Sequence, residues 1–243
     1  GAEVVFHLAA LPQVQFSIEN PKATHEVNVN GTLNVLEHAR KAGVKRIVFS
    51  SSSAIYGDQD ELPLKENMIP NPLSPYAAQK LIGETYMELY SKIYGLECIS
   101  LRYFNVFGPR QNPAGSYACL IPKFISLIEA DRTPVINGDG NQTRDFVYVG
   151  DVVEANLKAA TTQNKESFGK TFNIGGGNQY SVNQITEILI KMSGKSITPE
   201  HGPSVIEPHD TLADIKKAQN FLGWNPKKDF EDGIKETYEF FAT

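Results

Sequence analysis

The sequence has few cysteines, no long apolar run and no excess of basic residues. Its 243 residues include only Cys98 and Cys119, too few for a disulfide framework or a cysteine metal cluster. The longest apolar stretches fall far short of the ~20 residues that a membrane helix requires. The 28 acidic residues outnumber the 23 basic ones, giving a net charge of −5, so neither nucleic acid nor a membrane is an expected partner. We expect a cytoplasmic protein.

Short β-rich runs alternate with helical patterns in the first half of the chain. Residues 4–8, 46–49 and 98–101 are predominantly apolar, and a helical pattern fills each gap between them. The helix in 20–43 opens with an Asn-Pro pair and closes with glycine, and the helix in 74–95 opens with Ser-Pro and also closes with glycine. Strands alternating with helices predict an α/β fold with a parallel sheet.

The second half of the chain has a different texture. Shorter segments separated by Gly, Asn and Pro predict a smaller mixed α/β domain after residue 106. Ser181 and Gln184 form a capping-box pattern that predicts the start of another helix. The segment 145–178 is expected to return to the main sheet.

Tyr76 and Lys80 are the first candidates for chemistry. They stand four residues apart in the second predicted helix, so both side chains leave the same face. A nearby ammonium commonly lowers the pKa of an acid by ~1–3 units, which would make this phenol a usable base. Because the chain has ten tyrosines, the spacing alone also fits an ordinary surface pair.

Polar residues follow two of the predicted strands. The serine run 50–53 comes after the second strand, and the polar segment 102–110 comes after the third. Open α/β sheets bind their ligands at the carboxyl ends of parallel strands. The sequence therefore predicts a site at this edge, although a Ser-rich turn that satisfies its own backbone is an alternative for the serines.

Together these segments resemble the extended short-chain dehydrogenase/reductase family, particularly its nucleotide-sugar 4-epimerases. The resemblance is carried by the motifs at 6–10, 28–32, 50–53, 76–80, 103–105 and 143–149. It implies a Rossmann-like, doubly wound parallel sheet in residues 1–106, without its N-terminal part, and a mainly sugar-nucleotide-binding domain in 107–243. It also implies NAD as cofactor, a UDP-sugar as substrate and a homodimer formed through the two long helices.

The resemblance also implies a role for each matching residue. Tyr76 would be the general base, Lys80 its electrostatic partner, and Ser52 would hold the reacting hydroxyl. The cofactor would contact Leu8, Ala9, Ala10, Leu11, Asn28, Ser50, Ser51, Tyr76, Lys80, Tyr103 and Phe104. The sugar nucleotide would contact Ser52, Tyr76, Asn105, Leu120, Asn137, Arg144, Glu207 and Thr211.

In the family's epimerase reaction the base takes the proton of the sugar's 4-hydroxyl as a hydride passes from C4 to NAD. The 4-keto sugar then rotates in the site, and the hydride returns to its opposite face. Dehydratases and decarboxylases of the family carry acidic residues just after the active-site hydroxyl. Here Ser53 and Ala54 stand at those positions, and neither titrates usefully, which favours epimerisation.

Three residues have alternative interpretations. Arg144 suits a diphosphate, because a guanidinium binds phosphate bidentately, but it is also placed to pair with neighbouring Asp145. Thr211 matches a family gate beside the sugar's C2 substituent, where a small residue admits an N-acetyl group; it is equally suited to cap a following helix. His7 is interpreted as a packing or turn residue, because no second ligand lies at metal-binding spacing.

The sequence departs from the family pattern in two places. The Gly-rich turn that would hold the pyrophosphate does not precede the first strand, so roughly 60–80 residues of a βαβαβ half are expected to be missing. Cys119 and Ser204 stand where the family often has asparagine and arginine, and Glu207 replaces an aspartate. Weaker binding of the UDP-sugar is expected. A decarboxylase and a catalytically silent sugar-nucleotide-binding protein remain the alternatives to an epimerase.

Overall fold

The computed structural model describes residues 1–113, 119–205 and 207–242. In chain order, the strands are β1 (Val4–His7), β2 (Arg46–Ser52), β3 (Glu97–Tyr103), β4 (Asn105–Phe107), β5 (Val135–Asn137), β6 (Thr143–Tyr148), β7 (Lys170–Ile174), β8 (Gln179–Ser181) and β9 (Glu200–Gly202). The α-helices are α1 (Val14–Glu19), α2 (Pro21–His25), α3 (Gly31–Lys41), α4 (Pro75–Tyr94), α5 (Leu120–Glu129), α6 (Val149–Thr161), α7 (Val182–Ser193), α8 (Lys216–Leu222) and α9 (Phe230–Ala242).

The main sheet has the strand order β1-β2-β3-β7, and every pair in it is parallel. Successive side chains of β2 enter two separate apolar cores. Val48 packs with α6, whereas Ile47 and Phe49 pack with α3 and α4. The sheet is therefore covered by helices on both faces, as the period of two along a strand requires. The predicted α/β fold with a doubly wound parallel sheet is confirmed.

The helix α4 lies close against β2. Its first turn is capped by the Ser74 hydroxyl, which accepts a hydrogen bond from the Ala77 amide, and its end is marked by Gly95 in the left-handed conformation. A Cβ on Gly83, in the middle of the helix, would come within 2.6 Å of the Phe49 ring. Glycine thus permits the close approach that brings the start of α4 to the carboxyl end of β2.

The helical region before β2 is more broken than predicted. The chain forms α1 before Asn20, and the Asn20 side chain makes no capping hydrogen bond. A π-helical stretch, Glu26–Asn30, then separates α2 from α3, whose end is followed by Gly43 with φ of 71°. The π-helical stretch carries Asn28, whose side chain bonds outside the helix. Because its partners are distant in the sequence, the local sequence pattern does not predict the π-helical stretch.

The second half of the chain forms two small sheets and an apolar core of its own. The strands β4, β6 and β8 make a mixed sheet, and β5 pairs with β9. Ile121, Phe124, Ile185 and Ile234 pack α5, α7 and α9 together. The capping box at Ser181 is confirmed. The strand β7 pairs with β3 of the main sheet, while the domain boundary near residue 106 stays a prediction.

Membrane-spanning helices and metal clusters are absent from the part of the chain that the structure describes. None of the described helices is long and apolar enough to cross a membrane. Among the same residues, no cluster of three or more His, Cys, Asp or Glu side chains has the arrangement of a metal site.

Candidate active site

The structure brings Ser52, Tyr76 and Lys80 together at one edge of the main sheet. Ser52 ends β2, Tyr76 lies in the first turn of α4, and Lys80 lies one turn later. The Ser52 side chain lies close enough to the Tyr76 phenol to influence its pKa. The Tyr76 backbone amide donates to the Ser17 hydroxyl at 3.0 Å, so α1 also anchors this turn. Sequence reasoning misses Ser17, because the local pattern does not predict α1.

Lys80 is buried beneath the phenol, with only 4% of the residue exposed. Its Nζ donates to the Ser50 carbonyl at 2.6 Å and lies 5.9 Å from the centre of the Tyr76 ring. Burial lowers the pKa of Lys80 to about 8, and the carboxylate of Glu84 opposes this shift. The ammonium is therefore retained at neutral pH but is lost readily above it.

The expected lowering of the Tyr76 pKa is wrong for this geometry. Burial raises the pKa of the phenol, and the Ser52 side chain only partly opposes the rise. Removing the phenolate from water outweighs the distant ammonium, whose hydrogen bond goes to the Ser50 carbonyl. Tyr76 needs further stabilisation of its anion before it can act as a base near neutral pH.

The loop after β1 forms the other side of this edge. Asn28 accepts a hydrogen bond from the Leu11 amide at 2.8 Å and donates to the Leu11 carbonyl at 3.1 Å. Its amide also donates to Gln79 of α4 at 2.8 Å. Asn28 therefore fixes the loop to the helix. Leu8 and Ala9 are exposed at this edge, and Ala10 is half-buried.

His7 lies behind the loop and is only 5% exposed. Its Nε2 hydrogen-bonds the Thr32 hydroxyl at 2.9 Å, and its ring lies 5.6 Å from that of Phe49. Burial, assisted by the charge of Lys80, lowers the pKa of His7 to about 4. His7 is thus a neutral packing residue at physiological pH, as interpreted from the sequence.

The remaining predicted cofactor residues fall into two groups. Ser50 and Tyr103 are half-buried, and the Tyr103 hydroxyl donates to Asn156 at 2.9 Å. Ser51 and Phe104 are buried, and the Ser51 hydroxyl donates into the protein interior. These placements leave their roles toward a cofactor as predictions.

The polar groups at this edge suit the ribose hydroxyls of a dinucleotide. The β1 loop exposes Leu8 and Ala9 at this edge, while the Ser52 hydroxyl, the Tyr76 phenol and the Lys80 ammonium come together from β2 and α4. Such donors match the hydroxyls of a ribose and of a sugar. The residues that would hold NAD here are those of the β1 loop, Tyr76 and Lys80.

Arg144 and Glu207, both predicted to face the substrate, form an ion pair at 2.9 Å. Arg144 also donates to the carbonyls of Thr143 and His209, at 2.8 and 2.9 Å. The alternative that Arg144 pairs with Asp145 is wrong. The Asp145 carboxylate instead accepts hydrogen bonds from backbone amides of other segments.

Asp145 joins segments that carry several of the residues predicted to face the substrate. Its carboxylate accepts from the amides of Gly176, Gly177 and Ala213 at 2.6, 3.1 and 2.9 Å. Burial raises its pKa to about 6 even though these amides oppose the shift. Asp145 thereby joins β6 to the turn after β7 and to the segment that precedes α8. The motif at 143–149 contains Asp145, but nothing in the motif indicates this role.

Asn105 and Thr211 both attach to the backbone of Asp145. The Asn105 amide donates to the Asp145 carbonyl at 3.2 Å, and the Asp145 amide donates to the Thr211 hydroxyl at 3.3 Å. Thr211 does not cap a helix, because α8 begins at Lys216, so that alternative is wrong. Two further predicted residues lie on separate elements: Leu120 begins α5 and Asn137 ends β5.

The comparisons with known proteins agree with this architecture. Residues 1–175 match the model of the NAD dependent epimerase/dehydratase family. The chain belongs to this family. It is 46% identical over 237 residues to a putative UDP-glucose 4-epimerase of Methanocaldococcus jannaschii, an alignment that covers 96% of this chain and 75% of the relative. The resemblance inferred from the sequence motifs and the expected cofactor, NAD, are confirmed at the level of the family.

Two solved structures are similar throughout the chain. The UDP-glucose 4-epimerase of Thermotoga maritima, solved with UDP-glucose, has a TM-score of 0.94 and 40% identity, covering 98% of this chain and 77% of its own. A UDP-N-acetylglucosamine 4-epimerase of Methanobrevibacter ruminantium, solved with UDP-N-acetylmuramic acid, has a TM-score of 0.94 and 37% identity, covering 98% and 76%. The chain is thus similar to epimerases that differ in the sugar named.

Replacing Asp145 by asparagine tests its role as the centre of these segments. The amide has one acceptor oxygen in place of two and would leave buried backbone donors unpaired, so we expect a loss of about 1–3 kcal/mol of unfolding free energy. Urea denaturation measures this loss. Asp60→Asn, at an exposed position outside the helices and strands, is the control and should change stability by less than about 0.5 kcal/mol. An unchanged urea midpoint for Asp145→Asn would contradict the assignment.

Proposed function

We propose that this chain is an NAD-dependent epimerase that interconverts UDP-sugars at C4 through a 4-keto intermediate. The observation that carries the proposal is the Tyr76 phenol, which lies beside the Ser52 side chain and has the Lys80 Nζ 5.9 Å from the centre of its ring. These groups meet at the carboxyl end of parallel strands, where α/β sheets bind nucleotides. Membership of the epimerase/dehydratase family supports the same conclusion.

The chemistry follows from the three side chains. Tyr76 takes the proton of the sugar's 4-hydroxyl and later returns it, while the Ser52 hydroxyl holds that oxygen in line. The Lys80 ammonium stabilises the phenolate, which burial alone disfavours. When bound, NAD supplies a reversible acceptor for the hydrogen at C4. Because the sugar is neither oxidised nor reduced overall, the cofactor is not consumed.

The two residues after Ser52 favour epimerisation over elimination. Ser53 and Ala54 begin a short 3₁₀ turn, Ser53–Tyr56, directly after the active-site hydroxyl. Neither side chain can exchange a proton with the sugar near neutral pH, whereas dehydration requires an additional acid and base. Proton transfer in the proposed reaction therefore depends on Tyr76.

Substitution of Tyr76 by phenylalanine tests the proposed base. We expect interconversion of UDP-sugars to fall by about 10²–10⁴-fold, because general acid–base catalysis contributes that much. The rate is measured by chromatography of the UDP-sugars, and NAD released on denaturation is measured by absorbance and mass. Tyr86→Phe, a half-buried tyrosine of the same helix, is the control and should keep its activity. Activity of Tyr76→Phe within tenfold of the parent would contradict this role.

The same assays separate the alternatives. Conversion of UDP-glucuronate to a UDP-pentose, with release of carbon dioxide, would indicate a decarboxylase. Binding of UDP-sugar by the native chain without turnover or retained NAD would indicate a silent binding protein. Either result would replace the epimerase proposal.

For the substrate, we propose UDP-GlcNAc and UDP-GalNAc, alongside UDP-Glc and UDP-Gal. Thr211 supports this choice, because it is small, only 6% exposed and held through its hydroxyl by the Asp145 amide. A small residue at this position leaves space for an N-acetyl group beside C2 of the sugar. A bulky aromatic residue there would fill that space.

Thr211→Tyr tests the size argument. We expect the ratio of kcat/KM for UDP-GlcNAc to that for UDP-Glc to fall at least tenfold, because a steric clash of about 1.4 kcal/mol has that effect. Thr211→Val, which loses the hydroxyl but keeps the volume, is the control and should leave the ratio unchanged. This ratio is measured from steady-state rates on both pairs of sugars. Full activity of the tyrosine variant on N-acetyl sugars would defeat the gate hypothesis.

We also propose a homodimer formed through the outer face of α3 and α4. Ile82, Leu89 and Ile93 lie on one stripe of α4 and are 37%, 40% and 63% exposed. Contiguous exposed apolar surface on a helix is typical of an interface. We also propose a cytoplasmic location, which rests on the amino-acid composition and on the class of substrate.

Charged residues in this stripe should separate the dimer. We expect Leu89→Glu combined with Ile93→Glu to convert a dimer to a monomer, because two buried carboxylates cannot be paired in the interface. Light scattering coupled to gel filtration measures the mass. Leu157→Glu, on α6 and 54% exposed, is the matched control and should leave the mass unchanged. A parent chain that is already monomeric would refute the proposal.

A further inference from the structure

We propose that Glu84 is a positioning residue for the reaction, which locks the turn of α4 that carries Lys80 to the carboxyl ends of β2 and β3. This inference rests on the proposed function only in assuming that Lys80 serves Tyr76. Glu84 itself contacts neither of the reacting groups proposed above. It acts on them through the helix and through its charge.

Glu84 is the acceptor of a three-element polar cluster. Its Oε1 accepts the Ser51 hydroxyl at 2.5 Å and the Arg102 Nε at 2.9 Å, and its Oε2 accepts the Arg102 Nη2 at 2.7 Å. All three residues are at most 7% exposed. One carboxylate therefore joins α4 to β2 and β3 by three charge-assisted hydrogen bonds, the geometrically most specific kind.

The cluster sets the register between α4 and β2. Three consecutive serines each lie against a different residue of the helix, and these helix residues are spaced four apart. The Ser52 side chain lies beside Tyr76, the Ser50 carbonyl accepts from Lys80, and the Ser51 hydroxyl donates to Glu84. A helix presents positions four apart along one face, so these contacts join one face of α4 to the end of β2.

Glu84 also supplies negative charge to a buried ammonium. It lies one turn beyond Lys80 and opposes the lowering of the Lys80 pKa by burial. The other titratable groups around these two residues come from several elements. They are His7 of β1, Tyr76 of α4, Arg102 of β3, Tyr56, whose ring lies 4.6 Å from the Arg102 guanidinium, and Glu66 and Lys217, which interact electrostatically with Arg102.

Stability alone does not account for such a cluster. Buried ion pairs can often be replaced by apolar side chains without loss of stability, because desolvation offsets the attraction between the charges. A carboxylate here is explained by its effects on two neighbours. It fixes the position of Ser51, and with it the flanking serines, and its negative charge offsets the positive charge of Lys80.

The first experiment follows Lys80 itself and does not depend on activity. The ε-carbon of lysine is labelled with ¹³C in the full chain, and the Lys80 resonance, assigned by its loss in Lys80→Arg, is titrated with pH. In Glu84→Gln we expect the titration midpoint of Lys80 to fall by at least one pH unit. Glu84→Asp should restore most of the shift because it keeps the charge. Glu88→Gln, one turn further on the same helix and exposed, is the matched control.

The second experiment measures kinetics on UDP-sugars with NAD present. In Glu84→Gln we expect kcat at pH 8 to fall at least tenfold, with KM changed less than threefold. The alkaline limb of the kcat profile should move to lower pH by the same amount as the Lys80 midpoint, since a lowered pKa means that the ammonium loses its proton earlier. A purely structural role would lower thermal stability or the active fraction but leave this limb in place.

Two results would overturn the proposal. One is a folded Glu84→Gln chain with an unchanged Lys80 midpoint, and the other is kcat within threefold of the parent at pH 8. If Glu84→Gln alone does not fold, because the Arg102 charge is left unpaired, the double variant Glu84→Gln with Arg102→Gln is judged by the same two readouts. A parent chain without any turnover would refute the proposed function, whereas the Lys80 titration would still decide the role of Glu84.

Discussion

The contact between α4 and the carboxyl end of β2 is the interaction on which the candidate site depends. Ser51, Lys80 and Glu84 are buried between α4 and the end of β2, so their polar groups must find partners in the protein. The serine run meets that demand by contacting α4 at regularly spaced positions. Gly83 permits the close approach, because any Cβ would strike Phe49. The proposed catalytic groups are consequently placed as one unit.

Two buried carboxylates organise two parts of the fold. Glu84 binds a hydroxyl and a guanidinium between α4 and the main sheet, and Asp145 binds three backbone amides next to β6. In both cases the charge is offset by directed hydrogen bonds from different segments of the chain. The chemistry proposed for Tyr76 therefore rests in part on a neighbour, Glu84, that need not touch a ligand.

Local sequence signals predict the secondary structure around α4 well. Ser74 and Gly95 mark its ends because capping depends on nearby backbone groups. The same reasoning places Asn20 and Pro21 correctly at the start of α2, although the Asn20 side chain makes no capping hydrogen bond, and it misses α1 entirely. The signal for Glu84 is present in its spacing from Lys80, but its partners lie 33 and 18 residues away in the chain.

The sequence by itself determined the alternation of strands and helices, the family, and the convergence of Tyr76, Lys80 and the serines, because these depend on local pattern and on topology. Only the tertiary structure decided which groups are buried and which charges pair. Burial reverses the expected shift of the Tyr76 pKa, and Arg144 pairs with Glu207 instead of Asp145. Desolvation and pairing depend on distances across the fold, which no local pattern contains.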